Sequence, residues 1–220
     1  MTNGDSNLNN DEFKDLLAKA IQGNAVAQYN VGNCYYGGEG VEKNDEKAIE
    51  WWTKSAELGY AEAQYTLGIC YAEGGEVERD YEKAAYWYTK AAKQGHAEAQ
   101  YELGTCYQWG AGLRQDYRKT MYWWIKSAEQ GYADAQFDVG NCYEWGQGVK
   151  QDYKKAVYWY TKAAEQGELR SQYYLGSCYE RGEGIEQDYG KAIYWYTKSA
   201  EQGHGKAQER LQELTSGAMI

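Results

Sequence analysis

Between Ala97 and Tyr107 the small and apolar residues fall at Ala97, Ala99, Leu103, Gly104, Cys106 and Tyr107. That spacing keeps returning to one side of a helix and does not alternate as a strand would, so it predicts a helix, here called helix A. Gly110-Ala111-Gly112 interrupts the pattern, and Asp116 then stands where a side chain would cap the free amides of a second helix. Helix B is predicted from about Tyr117 to Gln130, with Gly131 in the left-handed conformation that ends it. The pattern then recurs, with Gly23, Gly59, Gly95, Gly131, Gly167 and Gly203 sharing one column at a spacing of 36 residues without insertion. Five full units follow: 23–58, 59–94, 95–130, 131–166 and 167–202.

One helix pair cannot enclose its own apolar face, so successive pairs must stack on a continuous core, which predicts an all-α, α/α solenoid. The two ends fit such a stack. Residues 11–22 read as a lone helix B, an N-terminal capping helix with Phe13, Leu16 and Ala20 inward. Residues 203–214 repeat helix A alone, with Gln212 at the glycine column and Glu209 at the tyrosine column, as expected of a C-terminal capping helix with a polar outer face. Residues 1–10 are expected to be disordered and 215–220 to form a flexible tail.

The recurring frame is Ala-x-Ala-Gln-Tyr-x-Leu-Gly-x-x-Tyr-x-x-Gly-x-Gly followed by Asp-Tyr-x-Lys-Ala-x-x-Trp-Tyr-x-Lys-Ala-Ala-Glu-Gln-Gly. Ala133, Ala135, Gln136, Gly140, Tyr143, Gly146, Gly148, Asp152, Tyr153, Ala156, Trp159 and Tyr160 carry most of it in one copy. This frame resembles the Sel1-like repeat, a relative of the tetratricopeptide repeat, over residues 23–214. The resemblance implies a right-handed superhelix whose concave side is lined by helix A, and an adaptor role in complex assembly, signalling or host interaction. Two departures are local: the family's inter-helix proline is missing from every copy, and Gly74-Gly75-Glu76 replaces Gly-x-Gly in the second unit, where a differently shaped turn is expected.

Composition narrows the function classes. A formal charge of −10 without a lysine or arginine run argues against nucleic acid and favours basic partners. No apolar stretch reaches the length of a signal peptide or a membrane span, so no membrane insertion and a cytoplasmic location are expected. Cys34, Cys70, Cys106, Cys142 and Cys178 share one helix-A column about one repeat, roughly 10 Å, apart, too far for a disulfide that needs Cα atoms within about 7 Å, so they are read as small buried hydrophobes in a reducing setting.

Catalytic chemistry finds little footing. Looser relatives of the resembled family have two disulfide-linked cysteines per repeat and are associated with β-lactam binding or hydrolysis, which leaves a small-molecule or cell-wall-related binder or enzyme as the alternative reading. The second cysteine and a Ser-x-x-Lys motif are both missing here. The Gly-x-Gly pairs follow helices and lack the preceding strand of a nucleotide loop, so they read as turns. His96 and His204 are isolated, too far apart in sequence to pair at a metal, and read as surface variation. No cofactor, metal site or catalytic residue is expected, and the chain is read as non-enzymatic. The unvarying spacing would also suit an engineered consensus repeat without a natural ligand, although such a scaffold would tend to keep its surface columns uniform.

Exposed columns where the units differ are free of packing duty, and on helix A they form one stripe. It reads Val26, Asn30, Asn33, Gly37; then Glu62, Thr66, Ile69, Glu73; then Glu98, Glu102, Thr105, Trp109; then Asp134, Asp138, Asn141, Trp145; then Arg170, Tyr174, Ser177, Arg181. Beside it run Tyr65, Tyr101 and Phe137. Carboxylates next to aromatic rings suit a protein or peptide with basic segments, since a cation gains from both and tryptophan often anchors an interface. Trp109 and Trp145 could instead cover the inter-helix turn. A second column, Tyr86, Tyr122, Tyr158 and Tyr194, lies on helix B beside Lys83, Lys119 and Lys155, and reads as surface stabilisation or as a convex face for self-association or sugar rings.

Overall fold

The computed structural model describes residues 9–216, and all regular structure among them is helical. The chain divides into two compact units, Met1–Gln115 and Asp116–Ile220. The first contains α1 (Asn10–Ile21), α2 (Ala25–Gly37), α3 (Asp45–Glu57), α4 (Ala61–Glu73), α5 (Tyr81–Lys93) and α6 (Ala97–Trp109). The second contains α7 (Tyr117–Glu129), α8 (Ala133–Trp145), α9 (Tyr153–Glu165), α10 (Leu169–Arg181), α11 (Tyr189–Glu201) and α12 (Gly205–Thr215). Helix A of the repeat is thus α2, α4, α6, α8 and α10, and helix B is α3, α5, α7, α9 and α11.

Residues 1–8 and 217–220, most of the two expected tails, lie outside the described residues. Asn9 already caps α1, its side chain accepting from the amides of Asp11 and Glu12, and α12 continues through Thr215.

Each helix B starts on a capping side chain: Asn44, Asp80, Asp116, Asp152 and Asp188 all accept an amide hydrogen bond from the first turn. Each ends in a glycine turn such as Gly131 (φ +97), where the Tyr132 amide returns to the Ser127 carbonyl at 3.3 Å. The next helix A completes the end. Gln28, Gln64, Gln100, Gln136 and Gln172 are buried, and each donates its side-chain amide to the carbonyl eight residues earlier, as Gln136 does to Ala128 at 3.0 Å. A glutamine column therefore satisfies helix-end carbonyls that packing would otherwise strand.

The core repeats with the sequence. In unit 1, Ala48, Trp52, Ala56, Ala63 and Leu67 form one cluster and Phe13, Ala20, Ala27, Val31 and Cys34 another. In unit 2, Phe137, Ala156, Val157, Tyr160, Ala164, Leu175 and Cys178 form a cluster that Ala192, Tyr196 and Ala207 continue in kind. Small residues bring the backbones close and one large ring per pair fills the space between, which is how an alanine-rich chain reaches core density.

Candidate partner-binding surface

The helix-A stripe behaves differently in the two units. On unit 1, α4 presents Glu62, Thr66, Ile69 and Glu73 and α6 presents Glu98, Glu102, Thr105 and Trp109, a face with four carboxylates and no lysine or arginine in the stripe. Trp109 is 73% exposed, so it does not cover its turn. Tyr65 and Tyr101 are half-buried beside the stripe. Glu62, Tyr65 and Glu98 gather around His96, whose Nε2 lies 3.2 Å from Glu62 Oε2 and whose ring centroid is 4.6 Å from that of Tyr65.

That geometry corrects the reading of His96 as surface variation. Its side chain is 6% exposed, because Nδ1 accepts the Ala99 amide at 3.3 Å and caps α6 while the ring packs on Tyr65. His204 does the same at α12, accepting from Ala207 and stacking on Tyr173 at 4.8 Å, and burial lowers its pKa.

On unit 2, arginines thread the stripe. Arg170 stacks over the Phe137 ring at 4.2 Å and reaches both Asp134 and Glu168, so Asp134, Phe137, Arg170 and Tyr174 form one cluster. Phe137 is only 5% exposed, a core ring rather than an open panel. Arg181 binds Glu144 at 3.0 Å and Glu183 at 2.8 Å. Asp138 adds its charge near Arg170, and Asn141 is half-buried. Trp145, 60% exposed, stands open at the end of α8.

Glu144 escaped the sequence reading. Only 3% exposed, it accepts from Tyr160 Oη at 2.6 Å as well as from Arg181, and burial together with this carboxylate pushes the Tyr160 hydroxyl pKa far up. Its column holds Tyr36, Ala72 and Gln108 in earlier repeats and glutamate again only at Glu180, which accepts from Tyr196 Oη at 2.8 Å in the same way, so the signal is confined to the last two repeats.

Burial first, and neighbouring carboxylates second, push the Cys106, Cys142 and Cys178 thiols up to about 12 and half-buried Cys70 up to about 11. Neutral thiols of this kind are poor nucleophiles. The helix-B tyrosines Tyr86, Tyr122, Tyr158 and Tyr194 are about half exposed, and the lysines over their rings are Lys90, Lys126, Lys162 and Lys198, one turn on, at 4.8 to 5.9 Å. Lys83, Lys119 and Lys155 face Asp80, Asp116 and Asp152 instead. Among the described residues no helix is long and apolar enough to cross a membrane.

Comparison with known proteins agrees with this architecture. The Sel1 repeat family model matches residues 25–60, 61–96, 97–132, 133–168 and 169–204, a frame two residues later than the glycine-defined units. The crystal structure of a protective antigen of uropathogenic Escherichia coli strains, displaying an SLR fold, is 38% identical with a TM-score of 0.88 over 93% of this chain. A Sel1 repeat protein from Oxalobacter formigenes is 36% identical with a TM-score of 0.84, covering 96% of this chain and 85% of its own. A sel1-like repeat-containing protein of Acanthamoeba polyphaga mimivirus is 46% identical over 44 residues, 20% of this chain. The chain spans 44% of the E. coli structure and 8% of the viral protein. With twelve helices among its described residues and five matched repeats, the chain is an all-α repeat protein that belongs to the Sel1 repeat family.

Proposed function

We propose that this chain is a non-enzymatic scaffold that holds a basic peptide or protein segment against the helix-A face of its first unit. Sel1 repeat proteins generally mediate protein–protein interaction, and one observation carries the finer reading here: Glu62, Glu73, Glu98 and Glu102 share the α4 and α6 stripe with a tryptophan that is 73% exposed. An exposed tryptophan costs solvation unless a partner covers it, and a carboxylate stripe selects the charge of that partner. The unit 2 stripe is less suited to the same task because Arg170 and Arg181 already engage Asp134 and Glu144. Five free cysteines, with thiols raised by burial where the shift is resolved, fit a reducing compartment such as the cytoplasm.

A peptide array of graded charge tests this. Lysine- and arginine-bearing peptides should be retained, with retention falling as salt rises, and a folded Trp109→Ala, Glu98→Lys, Glu102→Lys variant should lose them. Equal retention of acidic peptides, or an unchanged pattern on the variant, would refute the assignment.

A further inference from the structure

Between α2, α3 and α4 of unit 1 lies a cleft of about 350 Å³ floored by Ile49, Trp52 and Ile69. That volume is near the small end of ligand pockets, about 300–1,000 Å³, and suits one anchoring side chain. Three carboxylates line it: Asp45 from the start of α3, Glu73 from the end of α4, and Glu76 from the turn that follows.

Two columns depart from the repeat at this place, Asp45 and Glu76 standing where every later repeat has tyrosine and glycine, and two more, those of Thr66 and Glu73, differ from unit to unit. Three repeats further on, among α8, α9 and α10, the corresponding residues are Tyr153, Tyr174, Arg181 and Gly184, where unit 1 has Asp45, Thr66, Glu73 and Glu76. In unit 2, Tyr174 stacks on Tyr160 with centroids 5.4 Å apart, and the Arg181 guanidinium binds Glu144 at 3.0 Å. Thr66 is too short to repeat the first contact, and Glu73 reverses the charge of the second. The turn opens as well. Gly184 presses against the Tyr153 backbone with φ +75, a closeness that a side chain at Glu76 forbids. Accordingly Gly74 takes φ 79 and ψ −161, where Gly182 takes φ 69 and ψ 27.

Unit 1 thus carries Glu73 where unit 2 has Arg181, and the cations at its cleft rim are Lys43 and Arg79, whose guanidinium donates to the Glu73 backbone carbonyl at 2.9 and 3.1 Å. Asp45 Oδ1 is buried and has no hydrogen-bond partner among the described residues. Its other oxygen is 3.4 Å from Lys43 Nζ, and the same Nζ lies 5.2 Å over the Tyr36 ring at the cleft wall, so the rim already attracts positive charge. The Trp52 indole N–H is already given to Asn33 Oδ1 at 2.9 Å. A group with several N–H donors and an apolar stem is a guanidinium on its methylene chain.

We infer that this cleft anchors an arginine side chain of the partner, its guanidinium among Asp45, Glu73 and Glu76 and its stem along Ile49 and Ile69. The inference rests on the basic-segment reading above for the origin of that arginine, and it reproduces in trans the place that Arg181 fills within unit 2.

The test follows the Trp52 indole N–H resonance of the intact chain during titration with N-acetyl-arginine amide and, in parallel, its uncharged citrulline isostere. The arginine probe should shift Trp52 and the citrulline probe should not. A folded Thr66→Tyr, Glu73→Arg variant, which copies unit 2 into the cleft, should lose the response, and the milder Asp45→Asn should weaken it. Arginine-bearing array peptides should bind the filled variant roughly tenfold less tightly. No shift with the arginine probe, an equal shift with citrulline, or an unaltered response in the filled variant would overturn the inference. Basic peptides that bind native and filled chains alike would leave the scaffold reading standing and remove the cleft from it. A Trp52 response to the arginine probe in a chain that retains no basic peptide would do the reverse.

Discussion

A Cβ placed on Gly140 would stand 2.7 Å from Cδ1 of the Tyr160 ring, closer than real side chains pack. Tyr160 is fully buried and its hydroxyl is held by Glu144, so the ring cannot swing away. Gly140→Ala gains up to about 1 kcal/mol in helix propensity but incurs an overpacking cost of about 1–3 kcal/mol, and a net loss of stability is expected in urea unfolding. Gly190→Ala, on the open first turn of α11 with only Asp188 Oδ1 at 3.3 Å, should be neutral or stabilising.

Tyr160→Phe should cost about 1–3 kcal/mol, because a carboxylate 3% exposed loses its 2.6 Å donor and, among the described residues, keeps Arg181. Tyr196→Phe should cost less, since its partner Glu180 has a side chain 12% exposed and two contacts to Arg210. Similar losses for the two variants in the same denaturant titration would contradict this ranking.

Trp109→Ala should change stability by no more than about 0.5 kcal/mol, whereas Trp124→Ala, with that ring 3% exposed, should lose about 3–5 kcal/mol. A large thermal shift for the Trp109 variant would mean that its ring supports the turn after all.

The acid side of the stability profile should depend on Glu168. Burial alone would raise its carboxyl pKa, but bonds from the Ser171 and Arg170 amides and the Arg170 side chain outweigh burial and hold it below the usual value. A lowered folded-state pKa means the contribution is present above the unfolded-state pKa and fades as pH falls through the folded-state one. Glu168→Gln should therefore lower stability near neutral pH and flatten the loss below about pH 4.3. An unchanged slope in acid titrations of the variant would refute the assignment.

The helices were legible because caps and glycines repeat. Helix B was expected from Tyr117 to Gln130 and runs Tyr117–Glu129, and helix A, read over Ala97–Tyr107, runs Ala97–Trp109. The unusual turn at Gly74-Gly75-Glu76 was legible for the same reason, as a break in a column. Contacts between columns were not. Arg181 meets Glu144 from 37 positions away, and His96 is buried by Tyr65 and Glu62 of the preceding repeat, partners that no single-column comparison pairs. Exposure was half legible: Trp109 and Trp145 stand open as a binding surface needs, while Phe137 in the neighbouring column sinks under Arg170. A periodic sequence fixes which residues are equivalent, and the departures from equivalence then act through neighbours one repeat away.

Thiol labelling offers the last check, on the packing of the cysteine column. Thiolate is the reacting form, and a pKa raised to about 11 or 12 leaves little of it near neutral pH. Cys106, Cys142 and Cys178 are also buried, so a disulfide reagent must wait for local opening at those three, whereas Cys70 is half-buried and lines the unit 1 cleft. Native protein should therefore react slowly with such a reagent. Mass spectrometry of partial labelling should find Cys70 modified before the other three, and all five should react at once in denaturant. The Thr66→Tyr, Glu73→Arg variant should slow Cys70 further, because the ring and guanidinium would fill its route to solvent. Labelling of Cys106 or Cys142 ahead of Cys70 would show that the helix-A column opens more readily than the cleft.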